Sequence, residues 1–340
     1  MDKTDKIAKE AAKLKAQYEA YPVNDEAEEV SREEFTLLLG GISACRKLPG
    51  VHEHMGYEQL YHCDNDEDKK QAREHLDKIF GVTDKESLMQ ACYELYSGSG
   101  EYEQFMTFWH DVPMFDIKEL NPRGREGFEF CKGLAAKFYP VVKEKGFYAW
   151  DINERIGLCR NAAVCGIISD DEFWELTDEW GRQAQVFYHS YTEYAISCLC
   201  GAIYEMARRD SDIETFYEIN LNIINHLLED GGAWNRKKWY VPKEREWASL
   251  INGNPGCIVT KRALDEGIGY MYRDEPNSEF PDSGWCFFVG DEPQEYIDDP
   301  NNSTICSLNS ICNLYPDIMT YIFADVGRRF GRHENGWEEE

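Results

Sequence analysis

The chain has 340 residues, more than one hydrophobic core usually organises, and 42% of them are hydrophobic and 14% aromatic, enough for packed cores rather than a disordered chain. Its 64 acidic residues outweigh 36 basic ones, giving a net charge of −28. Such a surface repels phosphate backbones and anionic lipid, so neither nucleic acid nor a membrane is an expected partner, whereas a basic protein would be attracted.

The opening segment MDKTDKIAKEAAKLKAQYEAY sets Ile7, Ala11, Leu14, Tyr18 and Tyr21 at helical spacing among alternating charges, and it lacks the apolar core of a secretion signal. The longest apolar stretch, Ala195 to Tyr204, is too short to cross a bilayer. A cytoplasmic location is the resulting expectation, with a reducing environment for twelve cysteines that contain no C-x-x-C pair. They read as small buried thiols.

From about residue 30 to 230 the sequence writes helix starts. Ser31 with Glu34, Thr83 with Glu86, Ser169 with Glu172, Ser190 with Glu193 and Ser211 with Glu214 have capping-box spacing, while the Thr215 and Glu218 pair falls inside a helical run. Gly98, Gly166, Gly231 and Gly232 follow helical runs and can end them in the left-handed conformation. After Ile213 an apolar stripe recurs through Phe216, Tyr217, Asn220, Ile223, Ile224, Leu227 and Leu228. These signals predict an all-α domain of seven to ten helices.

Within this region His52, His54, His62 and Cys63, with Glu53 and Asp64, form the densest group of metal-type side chains. Their spacing matches neither C-x-x-C nor H-E-x-x-H, so zinc is not expected. In WDINERIGLCR, Asp151 and Arg155 stand four apart and can pair along a helix, as a structural pair or, alternatively, as catalytic groups. Arg236, Lys237 and Lys238 beside Trp234, Trp239 and Tyr240 resemble a base-stacking strip, but three cations in so acidic a chain read better as an inter-domain strap that packs its tryptophans.

Past Trp239 the pattern changes, with seven of the twelve prolines from Pro242 onward. Cys257–Thr260, Ile268–Tyr272 and Trp285–Val289 read as strands, the last two pairing across an acidic loop, and Ser307–Asn313 and Asp317–Phe323 as helices. The predicted fold class is therefore α+β in two domains: residues 1–240 helical, 241–255 a linker, 256–335 a small α+β domain with a short antiparallel sheet, and 336–340 an acidic tail. In the hairpin, Tyr270 and Tyr272 share one face, and Trp285, Phe287 and Val289 form another alternating set.

Between Asp274 and Asp299 lie nine acids and no base. Asp291, Glu292, Glu295, Asp298 and Asp299 could hold a cation or act as acid and base, but D-D-P-N-N lacks calcium-loop spacing, and a solvated face or a patch for a cationic partner is the simpler reading. Ser283 sits in P-D-S-G-W rather than G-x-S-x-G, which makes it a turn serine rather than a nucleophile. With no G-x-G-x-x-G and no phosphate-loop lysine motif, no cofactor is expected.

The ordered motifs CIVTKRAL, GYMYRDEP, DSGWCFFVGDE, EYIDDPNN, LNSICNLYPDI and VGRRFGR, which span nearly all of Cys257 to Arg332, resemble domain-of-unknown-function family 2185, an immunity-protein family of bacterial polymorphic-toxin systems. The segment FYAWDINERIGLCRNAAVCGIISDDEFWE, continuing to about Arg208 in a family-like core of about 121–232, resembles domain-of-unknown-function family 1266, a helical bacterial family. Trp150, Asp151, Arg155, Arg160, Gly166, Ser169, Glu172 and Trp174 stand at its matching places, and the first resemblance adds Gly284, Phe287 and Gly290 to the positions expected to be structural.

What the first resemblance implies is a binding protein that neutralises a toxin domain, with Tyr272, Arg273, Asp282, Ser283, Trp285, Asp291, Glu292, Glu295, Asp298 and Asp299 as candidate contacts. Trp285 has two readings, as a partner anchor or as core. Two other functions stay open at this point: a hydrolase using Asp151, Arg155 or the C-terminal carboxylates in a cleft between the domains, and a scaffold without a toxin ligand.

Overall fold

A computed structural model of the chain describes residues 2–20, 24, 26–46, 65–94, 117–209, 212–334 and 336–340. It separates into a helical first unit, running to Arg245, and a second unit from Glu246 to the C-terminus. The α+β class and the helical-then-sheet order match the expectation.

The described helices of the first unit are α1 (Lys3–Glu19), α2 (Arg32–Leu39), α3 (Gly41–Cys45), α4 (Asp66–Phe80), α5 (Lys85–Glu94), α6 (Pro122–Val142), α7 (Tyr148–Val164), α8 (Asp170–Phe187), α9 (Tyr191–Arg208), α10 (Ile213–Leu228) and the short α11 (Ala233–Arg236). The predicted stripe of α1 is buried at Ile7, Ala11, Leu14 and Tyr18. That of α10 is buried at Tyr217, Asn220, Ile224, Leu227 and Leu228.

Ser31, Ser169 and Ser190 cap their helices as the sequence indicated, with the full reciprocal box at Ser169 and Glu172. Two starts differ. Helix α5 begins after Asp84, whose carboxylate accepts the backbone N–H of Ser87, and α10 after Asp212, which accepts that of Thr215. In both cases a carboxylate one residue beyond the expected cap takes the role, because it is a stronger acceptor for the unpaired N–H groups and suits the positive end of the helix. Gly166 and Gly231 have the left-handed φ values of 68° and 81° expected at helix ends. Gly98 and the His52, His54, His62 and Cys63 group lie outside the described residues.

Helix α7 is the centre of the unit, packing against α9, α8, α3 and α4. All of its residues except Glu154 and Asn161 are buried, so it lacks a solvent face and shows little amphipathic signature in the sequence. Close approach depends on glycine. A Cβ on Gly201 would lie 2.6 Å from that of Trp150, and one on Gly157 would lie 2.6 Å from that of Ser43.

Residues 233–240 pack their tryptophans as expected of a strap, but they do so within the helical unit rather than as an inter-domain element. Trp234 is buried, stacks on Tyr191 at 5.6 Å and donates its indole N–H to the Leu38 carbonyl, and Trp239 meets the edge of Phe35 at 4.8 Å. The end of the segment expected as linker belongs to the second unit. There Asn309 and Asn313, one turn apart, hold the backbone of Ala248, and Asn309 also accepts from Leu250 and Ile251.

The second unit carries six strands, β1 (Gly256–Thr260), β2 (Tyr270–Arg273), β3 (Asp282–Phe288), β4 (Ser303–Ser307), β5 (Arg329–His333) and β6 (Gly336–Glu339), in the order β4-β1-β3-β2-β5-β6. The expected β2–β3 hairpin is antiparallel with Met271 opposite Phe287, and β1 runs parallel to β3. Residues read as an acidic tail form β6, because Trp337 is buried against Tyr321 and anchors the strand. Helix α12 (Lys261–Glu266) follows β1, α13 (Gln294–Ile297) lies in the β3–β4 connection, and α14 (Leu308–Leu314) follows β4. Asp317–Phe323, expected to be a helix, is a 3-10 turn over Pro316–Thr320 followed by turns.

Candidate functional site

One face of the six-stranded sheet is core. Val259, Met271, Trp285, Phe287 and Phe330 are at most 1% exposed. Trp285 donates its indole N–H to the Ile322 carbonyl at 3.0 Å and lies parallel to Phe287 at 6.0 Å. The ring is thus packed in the core of the unit, 1% exposed.

Several other candidate contacts also serve the fold. Arg273 donates to the carbonyls of Ser283 and Ala324, at 3.1 and 2.7 Å, and so ties β2 to β3 and to the turn before β5. The hydroxyl of Ser283, which is 5% exposed, donates to the Gly256 carbonyl across the β1–β3 irregularity and accepts from the Trp285 N–H. Asp282 accepts the N–H groups of Gly284 and Asn277. Gly284, with φ of 74°, could not carry a side chain without meeting the Asp274 carbonyl, and Gly290 also has a positive φ of 107°.

Glu292 organises the turn after β3. Its carboxylate accepts the N–H groups of Val289 and Gly290 and the hydroxyl of Thr260, at 2.7 to 2.9 Å. Partial burial opposes its ionisation, but these donors outweigh burial and hold the carboxyl below the ordinary glutamate range.

The opposite face of the sheet differs. The register aligns Ile305, Ile258, Cys286, Tyr272 and Arg329 in one row across five strands. Ile305 is 69% and Ile258 44% exposed. Tyr272 and Tyr270 are half-buried on this face, Tyr272 stacking on Phe288 at 5.6 Å. Burial, followed by the nearby Cys286 thiol, pushes the Tyr272 hydroxyl up to about 12, so it remains a neutral donor at physiological pH. The two isoleucines were absent from the candidate residues. The signal for Ile305 was the β-branched pair Thr304 and Ile305, one residue after the turn residues Pro300, Asn301 and Asn302, and that for Ile258 the strand pattern of Cys257–Thr260.

The nine acids of Asp274–Asp299 divide between the two ends of β3. Asp274, Glu275, Glu279 and Asp282 are at or before its start, and Asp291, Glu292, Glu295, Asp298 and Asp299 follow its end. In the second group Asp291 pairs with Arg262 at 3.0 Å, and Asp299 caps the 3-10 turn leading into β4. Glu295, Asp298 and Asp299 are exposed. No lysine, arginine or histidine occurs from Asp274 to Gly327, whereas Arg328, Arg329 and Arg332 lie on the β5 side.

In the helical unit, Asp151, Arg155 and Arg160 are each 1% exposed. Arg155 faces the rings of Tyr148 and Trp180, both at 5.9 Å. Trp150 carries Arg46 over its ring at 4.8 Å and donates to Glu205 at 2.7 Å. Gly166 ends α7, and Trp174 meets the edge of Phe173. Burial lowers the pKa of the Arg160 guanidinium to about 10. A small cavity of about 80 Å³ lies beside Ser43, Arg46, His75, Glu154 and Arg160, but Arg46 is ion-paired with Glu154, which Ser43 and Asn153 also bind. Asp151, Arg155 and Arg160 are thus buried polar groups of α7, while Ser43, Arg46, His75 and Glu154 around the cavity are partly exposed.

No described helix is long and apolar enough to cross a membrane. No curated protein and no solved structure matches the chain. Two family models match parts of it. The model described as "Protein of unknown function (DUF1266)" matches residues 75–239, beginning in α4, well before the segment that showed the resemblance. The model described as "Immunity protein Imm33 domain" matches residues 257–340, so the sheet-bearing unit is similar to an immunity-protein domain, under the Imm33 designation rather than family 2185.

Proposed function

We propose that this chain is a non-catalytic, cytoplasmic binding protein whose C-terminal unit binds and neutralises a bacterial toxin domain with a basic surface. The observation that carries the reading is the immunity-protein match over residues 257–340, which covers the six strands of the sheet but for Gly256 at the start of β1. Charge supports the choice of partner. The matched region holds 17 acidic residues against 6 lysines and arginines, and such an imbalance steers a cationic protein into encounter. Among the candidate contacts, the exposure of Asp291, Glu295, Asp298 and Asp299 and the half-burial of Tyr272 support the reading of these five as the contacts. Burial of Asp151 and Arg155 weighs against the hydrolase alternative.

The test is co-expression of the full chain with the product of each adjacent gene, scoring growth rescue and co-purification. Rescue accompanied by a stoichiometric complex is the expected result. Loss of toxicity without any complex, with the toxin's substrate or the toxin itself chemically altered, would replace binding with catalysis.

A further inference from the structure

The sheet has two edges of opposite character. At β6 the sequence GWEE places Glu338 and Glu339 on the edge, and Glu339 is paired with Arg328. Charged side chains are a common way to stop a second chain from pairing with such an edge. At β4 the sequence STICS holds no charge, no proline and no glycine. Its five pairs with β1, from Gly256 with Ser307 to Thr260 with Ser303, run without a bulge, so the strand is regular along its length. Among the described residues β4 pairs only with β1, leaving the alternate backbone N–H and C=O groups on its outer side open to pairing.

Apolar surface and charge are added to this edge. Ile305 projects from it beside Ile258, and the exposed Asp298 and Asp299 immediately precede it through the turn of Pro300–Asn302. Two cations, Lys261 and Arg262, follow Thr260, which lies opposite Ser303, and Arg262 is held by Glu266 and Asp291. Self-pairing through β4 would bring together two chains of net charge −28, a repulsion that a cationic segment does not meet.

We infer that β4 is a docking edge for an extended, cationic segment of the partner, which adds as a further strand, rests apolar side chains on Ile305 and Ile258, and directs lysine or arginine toward Asp298 and Asp299. This is strand addition, in which backbone hydrogen bonds give affinity and alternate side chains give specificity. The inference rests on the binding reading above for the nature of its ligand. Its geometric basis is independent.

The test uses full-length protein and a synthetic peptide of alternating valine and threonine with a lysine at each end, beside a twin N-methylated at alternate positions. The twin keeps the charge but cannot complete the backbone ladder. Hydrogen–deuterium exchange is expected to slow over residues 303–307 with the first peptide and not with the twin. Ile305→Glu, which adds attraction for a cation but removes the apolar anchor, is expected to weaken peptide binding about tenfold. Equal protection by the twin, binding by Ile305→Glu as tight as by the parent, or a strand-exchanged homodimer through β4 would each overturn the proposal. Growth rescue by Ile305→Glu at parental strength would remove the edge from the mechanism while leaving the binding reading intact. Absence of rescue by the parent chain would instead remove that reading.

Discussion

Glu292 closes a turn by satisfying two backbone N–H groups that the chain itself cannot pair, much as a capping residue does for a helix. Since its folded-state pKa lies below that of the unfolded chain, it stabilises the protein fully above the ordinary glutamate range of about 4.3, and the contribution is lost as pH falls through the lower folded value. Glu292→Gln should therefore melt below the parent at neutral pH, with the difference closing on acidification below that range; a difference independent of pH would show that the charge is not what holds the turn. A lysine here would place a cation against three donors and damage the fold, so charge reversal at Glu292 is unsuited to probing an interface. Trp285→Ala should cost about 3 to 5 kcal/mol of stability through the cavity left beside Phe287 and Phe330, readable as a fall in the denaturant midpoint. Retained stability with lost partner binding would reassign the ring to the interface.

At the scale of elements, legibility followed how much of an element's identity is local. Helix starts at Ser31, Ser169 and Ser190 were readable because the cap and its partner lie three residues apart. The hairpin of β2 and β3 was readable from β-branched and aromatic runs. Strands β4, β5 and β6 were not, since each is short, mixes polar or charged residues with one or two apolar ones, and becomes a strand through pairing rather than propensity. The candidate contacts divided for a related reason: alternation showed that Trp285 and Tyr272 belong to opposite faces, but only the helices and turns packed on one face decided which was core. Helix α7 shows the same limit, its polar residues being buried by neighbours remote in sequence. Its contact with α9 passes through Gly201, and Gly201→Ala should destabilise the helical unit by about 1 to 3 kcal/mol, because the added methyl meets the Trp150 Cβ, which cannot move without shifting the helix. Calorimetry of the variant checks this, and an unchanged melting temperature would show that the two helices can separate at little cost.

Taken as a whole molecule, the charge of −28 predicts that association with a cationic partner slows steeply as salt is added. Stopped-flow rates across an ionic-strength series test this, and a flat profile would remove electrostatic steering. Reversing Glu295 and Asp298 to lysine should slow association on the order of tenfold at low salt while leaving melting unchanged, since both side chains are exposed.

Strand β3 holds the two acidic groups apart like the ends of a ruler. Its seven residues set a spacing of about 20 Å, more than twice the reach of about 8 Å that physiological salt allows an exposed charge. Each end therefore acts as a separate handle, and lysine reversals of Glu275 and Glu279 should combine with those of Glu295 and Asp298 as a simple product of rate factors. A protein gripping both handles must be at least as long as the strand, whereas one too small to span them will respond to only one pair of substitutions.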